Sequence, residues 1–218
     1  FVLIANPSRD AADVRLRFLL GDGTVVEHRE QVSGESRATV WVDALGRDAE
    51  RIAQNPDYAR LADASLSTDV IVDNGVGILV ERSMWWPGTS ATWGEAHNRG
   101  GVTTPATRWA LAEGEVGGPR NTSTYALVVN PTGGAATIVV TMLAEDAAPE
   151  SMTYTVPANS RFNIALGAPQ FFPNARGRRV GLLIESAGVP IVVERAMYSD
   201  AGGQAWAAGT NAVATRLP

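Results

Sequence analysis

The chain has 218 residues, 45% of them apolar, with a net charge of −5, a sequence pI near 5.1 and no Cys. The acidic balance leaves no basic footprint for nucleic acid, and no apolar run approaches the roughly 18–20 residues of a membrane-spanning helix. Absence of Cys excludes disulfides, thiol nucleophiles and Cys-ligated zinc. The 18 basic residues are all Arg, which removes Schiff-base and P-loop chemistry and fits a high-GC, bacterial coding sequence.

In chain order, Phe1–Asn6 is a short apolar strand that stops at Asn6-Pro7, a turn-initiating pair. Because the sequence opens inside this strand, it reads as a piece of a longer precursor. Ala12–Leu20 alternates with a period of two, the mark of a half-buried strand. Gly21-Asp22-Gly23 turns it into Thr24–Val32, and a second turn leads to Arg37–Val42. The same order returns at an offset of 124 residues: Tyr125–Asn130 ending in Asn130-Pro131, Thr137–Ala144, Ser151–Val156 and Arg161–Leu166.

Between residues 43 and 65 the first half carries about eleven extra residues. Here Asp48 is placed to cap a short helix, with Pro56 beyond its end. Each half then closes with a strand, a Gly turn and a Val-Glu-Arg strand. Val76–Trp93 reads VGILVERSMWWPGTSATW, and Val189–Trp206 reads VPIVVERAMYSDAGGQAW, at a constant offset of 113. Two copies of such a pattern indicate duplication. Short alternating strands joined by Gly, Pro and Asn turns predict an all-β chain of two tandem antiparallel, immunoglobulin-like β-sandwich modules, the first with a short helical insertion. The boundaries are 1–104 and 105–218. Trp109–Glu113 either closes the first module or opens the second; the second is favoured, and the first module then lacks its own first strand.

Alternation along the Val-Glu-Arg strand puts Ile78, Val80, Arg82 and Met84 on one face and Leu79, Glu81, Ser83 and Trp85 on the other. Both faces are largely apolar, so the strand is expected to be central, with a charge embedded in each face that needs a partner. The expected pairs are Glu81 with Arg37 and Glu194 with Arg161, as scaffold rather than catalytic carboxylates. Trp85, Trp86 and Trp93 flank a turn and form a candidate glycan face, Trp86 being the most exposed by expectation. The structural alternative makes Trp85/Trp93 and Tyr198/Trp206 cross-strand pairs. His28 and His97 are the only histidines, and both are read as solvent-facing or hydrogen-bonded. Glu95 with His97 could offer two metal ligands, but no metal site is expected. Asp22 and Asp146 lack the further acids of a calcium loop. Asn121-Thr122-Ser123 matches a glycosylation acceptor without further meaning in a bacterial protein. No nucleophile or triad spacing is present, so no enzyme activity and no cofactor are expected.

The run TRWALAEGEVGG, then the Asn-Pro strand, VPANSR, PIVVERAMY and a following Trp resembles a module of large bacterial secreted or cell-surface proteins, strung in several copies. The resemblance implies an extracellular setting and a repeat architecture, and no catalytic residues. The expected function is a structural or interaction module, a stalk, spacer or assembly subunit completed by a strand from a neighbouring chain. Its expected partners are neighbouring modules or identical subunits, without nucleic acid or membrane insertion. The alternative is a carbohydrate-binding module that uses the Trp cluster to reach cell-surface glycans.

Overall fold

The computed structural model describes residues 1–86, 94–201 and 203–218. The chain is all-β, with four antiparallel sheets and a few short helical turns. Its contacts divide it into two compact units. One comprises residues 1–84, 98–101 and 159–161; the other comprises residues 85–97, 102–158 and 162–218.

The first half of the chain supplies β1 (Val2–Asn6), β2 (Ala12–Leu19), β3 (Val25–Val32), β4 (Ser36–Val40), α1 (Val42–Leu45), α2 (Ala49–Gln54), a 3-10 segment (Pro56–Ala62), β5 (Ser67–Val72), β6 (Leu79–Trp86) and β7 (Glu95–Gly100). They form sheets of order β4-β1-β6-β7 and β3-β2-β5. The period of two read in β2 is real: Ala12, Val14, Leu16 and Phe18 are buried, and Asp13, Arg15 and Arg17 face away. The buried residues share one core with Ile4, Val26, Val32 and Val40 from the neighbouring strands.

Asp48 caps α2 as its position suggests, accepting from the amides of Glu50 and Arg51. That helix buries no residue of its own. The insertion reaches the core one turn later, where Asn55 caps the 3-10 segment and Tyr58 and Leu61 are buried. The Tyr58 hydroxyl donates to the Glu27 carbonyl at 2.6 Å, so its polar end is satisfied.

The second half supplies β8 (Arg108–Leu111), β9 (Ser123–Asn130), β10 (Ala136–Ala144), β11 (Ala147–Val156), β12 (Ser160–Ala165), a 3-10 turn (Pro173–Ala175), β13 (Val180–Ser186), β14 (Val192–Ser199), β15 (Ala208–Val213) and β16 (Thr215–Arg216). Its sheets run β12-β9-β14-β15 and β11-β10-β13-β8-β16. Strand for strand this is the order of the first half, with β8 and β16 added beyond β13. The strand that sequence left between the halves pairs with β13, Trp109 opposite Ile184 and Leu111 opposite Leu182. Trp109 is 2% exposed, and its indole N–H donates to the carbonyls of Ala106 and Ile191 at 3.0 Å.

The repeated Asn-Pro pair does more than stop a strand. Asn6 and Asn130 are buried, and each side-chain amide donates to three backbone carbonyls. For Asn6 these belong to Asp10, Val32 and Ser33, and for Asn130 to Gly134, Val156 and Pro157. Each Oδ1 accepts from the amide two residues on, Ser8 or Thr132. One buried side chain thus ties the end of a strand to the turns around it, a local bond pattern typical of Asn.

Candidate functional site

The Val-Glu-Arg strands are central, as expected: β6 lies between β1 and β7, and β14 between β9 and β15. The most deeply embedded charge is Arg195, only 6% exposed; Arg82 and Glu194 are half-buried, and Glu81 is exposed. The Arg195 guanidinium is held by Glu113, through its carboxylate Oε2 and its backbone carbonyl. The charge-assisted bond, from a residue close to β8, reaches Nη1, while Nε is buried without a hydrogen-bond partner. Sequence gave no hint of this pair, because Glu113 and Arg195 are far apart in the chain.

The proposed pairing of Glu81 with Arg37 is corrected. Arg37 on β4 faces Ala5, and Glu81 on β6 faces Leu3, on opposite sides of β1. Two strand spacings, about 10 Å, and two residues of register, about 7 Å, separate them. Arg37 donates to Thr39 Oγ1 at 3.0 Å instead. Glu194 lies on β14 opposite Leu127 and Val213, and Arg161 on β12 donates to the Leu66 carbonyl at 2.6 Å.

Trp86, Tyr198 and Trp206 form a cluster in the second unit. Tyr198 stacks on Trp206, with ring centroids 4.8 Å apart and planes 23° from parallel. Trp86 meets the Tyr198 ring edge-on at 5.5 Å, and its indole N–H donates to the Trp206 carbonyl at 2.8 Å. His97 and Tyr125 complete the cluster, at 5.3 Å from Trp86 and 6.1 Å from Tyr198 respectively. Gly209 makes this packing possible. A Cβ there would stand 2.8 Å from Tyr198 Cδ1 and 2.9 Å from two Trp86 ring atoms, closer than carbon atoms can approach.

The expectation for Trp86 is therefore corrected: it is half-buried in the cluster, and Trp85 is the exposed one at 48%. Trp86 continues the inward face of Val80 and Arg82 on β6, while Trp85 lies on the outward face with Leu79 and Glu81. Trp93 lies outside the described residues. His97 is packed among rings rather than facing solvent.

The insertion helps to line a cleft in the first unit. His28, Glu30, Trp41, Leu45, Asp48 and Arg51 line an open cleft of about 230 Å³. His28 is 4% exposed, with Nδ1 3.4 Å from Arg51 Nη1 and Nε2 3.5 Å from Glu30 Oε2. Burial, reinforced by the Arg51 charge, pushes its pKa below the usual histidine value against the pull of Glu30. At the matching positions the second half has Met152 and Tyr154, and Tyr154, Phe162 and Phe171 fill the space as a ring triad with centroids 5.5–5.8 Å apart.

Asp22 serves the β2–β3 turn. It accepts from the Thr24 amide and pairs with Arg60 at 2.8 Å, which together hold its carboxyl down to about 2. Asp146 pairs with Arg178 at 3.3 Å. Among the described residues, no group of three or more His, Asp or Glu is arranged to hold a metal.

No family model matches the chain, and no curated protein matches it. Among solved structures, Thermotoga maritima 1070 is similar over 52% of this chain and 96% of its own, at 14% identity and a TM-score of 0.45. The Anabaena sensory rhodopsin transducer is similar over 43% of this chain and 97% of its own, at 24% identity and a TM-score of 0.35.

Proposed function

We propose that the chain is a structural and interaction segment of an extracellular bacterial protein, a stalk, spacer or assembly subunit completed by a strand from a neighbouring chain. The observation that carries this reading is an asymmetry between matching sheets. β13 is flanked on both sides, by β10 and β8, whereas β5 has β2 on one side and, among the described residues, no strand on the other. An edge of unpaired amides and carbonyls is a template for another strand. The charged residues support the same reading, because Asp22, Asp48 and Glu113 are engaged in turns, caps and ion pairs. The extracellular setting rests on the resemblance of the TRWALAEGEVGG, VPANSR and PIVVERAMY motifs.

The chain contains no Cys, so one introduced thiol reports its location cleanly. Glu50→Cys, at an exposed position of α2, is expected to react with a membrane-impermeant maleimide on intact producing cells or in their medium. Chemical cross-linking should then carry the label into species larger than the 23.0 kDa chain. Labelling that appears only after lysis would overturn the proposal.

A second reading, carbohydrate binding, is favoured by two exposed indoles, Trp85 at 48% and Trp206 at 49%. Sugar rings stack on such faces. Titration with bacterial-wall and plant polysaccharides should then quench tryptophan fluorescence saturably, with loss of that response in Trp85→Ala. A flat response to every polysaccharide removes this reading.

A further inference from the structure

Matching positions of the two halves differ sharply in chemistry beside the insertion. His28 and Glu30 on β3 correspond, at the offset of 124, to Met152 and Tyr154 on β11. In the second unit the Tyr154 hydroxyl donates to Met152 Sδ at 2.9 Å, and its ring packs against Phe162 and Phe171. The fold can therefore close this place with rings and a thioether. In the first unit an imidazole, a carboxylate and a guanidinium stand there instead, around an open cleft. Burying polar groups where apolar ones serve the fold costs stability, and proteins break the core pattern in this way at functional sites.

The wall supplied by the insertion is firmly seated. Gly46, just after α1, lies so close to the 3-10 segment that a Cβ there would stand 2.8 Å from Ala62 Cα. Tyr58 and Leu61 anchor that segment in the core. Asp48 caps α2 and stands 3.2 Å from Arg51 Nε, and Arg51 Nη1 meets His28 Nδ1 at 3.4 Å. A guanidinium can only donate, so Nδ1 accepts and the ring proton lies on Nε2, which faces Glu30 Oε2 at 3.5 Å. Arg51 Nη2 and Glu30 Oε1 have no partner among the described residues. The cleft thus holds a fixed donor on one side of His28 and a fixed acceptor on the other.

Trp41 adds an apolar wall beside Val40 and Leu45. Phe1 stacks on it at 5.5 Å, with planes 26° from parallel, and the indole is still 43% exposed. The stack fixes the ring without covering it. We infer that this cleft is a binding site for a single pyranose ring of a neutral sugar. The C–H face of the sugar packs on the indole. One hydroxyl donates to Glu30 Oε1, and its neighbour accepts from Arg51 Nη2. The cleft selects against ions because it carries both signs: an anion meets Glu30 and Asp48, and a cation meets Arg51. Its volume of about 230 Å³ lies below the roughly 300–1,000 Å³ of drug-sized sites, which suits one ring rather than a chain of them. This sugar site is independent of the assembly reading, and of the exposed indoles Trp85 and Trp206, which belong to the second unit.

Saturation-transfer NMR and calorimetry of the whole chain provide the test, with the methyl glycosides of glucose, galactose, mannose and N-acetylglucosamine as probes. At least one is expected to bind saturably, with a Kd on the order of millimolar, the strength open to so small a ligand. Arg51→Met keeps a good helix former and the apolar stem. It should weaken binding about tenfold or more, as should Trp41→Ala, with melting curves showing that each variant is folded. His28→Met with Glu30→Tyr imports the residues of the second half; it should fill the cleft and abolish binding in a protein that still melts cooperatively. Trp85→Ala should bind as wild type does. No saturable binding by any of the four glycosides would overturn the inference, as would unchanged binding by Arg51→Met. Binding lost in Trp85→Ala and kept in Trp41→Ala would overturn it too, and would support the second reading above. Equal competition by acetate or methylammonium would show an ionic site and overturn the sugar.

Discussion

Asn130→Asp is expected to destabilise the second unit by about 3–5 kcal/mol at neutral pH, one of the two largest effects of any single-residue change considered. The side chains are nearly isosteric, so packing is not the cause. The native amide is 0% exposed and donates to the carbonyls of Gly134, Val156 and Pro157 at 2.7–3.2 Å. A carboxylate there would face three carbonyl oxygens with no proton to offer. Burial among those oxygens raises the pKa of the introduced acid in the folded state above its unfolded value of about 3.9. The penalty is therefore full at high pH and is relieved as pH falls through the raised folded pKa towards the unfolded one. Recovery is partial, since a protonated carboxyl offers one donor where the amide offered two. Urea unfolding of mutant and wild type at pH 7 and pH 4 measures the difference. An equal loss at both values would mean that the bonds to the carbonyls do not carry the effect.

Trp109→Ala is expected to cost a similar amount, about 3–5 kcal/mol, for a different reason. The indole closes the apolar row formed by Ile184, Ile191 and Val193, each 0% exposed. Its removal leaves a cavity and strips a donor from the carbonyls of Ala106 and Ile191. For a unit of about 100 residues, such a loss lowers the melting temperature by on the order of 10–20 °C. Trp109→Phe keeps most of the volume and loses the N–H, so it should fall by about 1–2 kcal/mol. Calorimetry of the two variants separates filling from hydrogen bonding. A Trp109→Ala protein that melts within a few degrees of wild type would show that β8 is dispensable to this core.

The residues that sequence placed well are those whose signal is local. Strand alternation in β2, the Gly23 and Gly75 turns, the Asp48 cap and the central position of β6 and β14 all depend on neighbours a few residues away. The Asn-Pro repeat was visible as a turn signal. The three buried carbonyls that each Asn amide meets could not be read from it. Charge partners were not legible. Arg37 and Glu81 share a face yet are separated by a whole strand, and Glu113, just past β8, meets Arg195 on β14, a strand of the other sheet of the second half. The aromatic residues were legible as a group but not individually. Trp86 keeps the inward parity of Val80 and Arg82, Trp85 the outward parity of Leu79 and Glu81, and a glycine at 209 admits the Trp86 ring.

What the sequence determined by itself is the all-β class, the order of the strands and the correspondence of the two halves, because period-two alternation and turn chemistry act over spans of a few residues. Only the tertiary structure decided which charges are buried, which rings are covered and where an edge stays open. Those properties belong to neighbours across a sheet or a core, and backbone pairing brings together residues as distant as Trp109 and Ile184 without leaving a local mark on either.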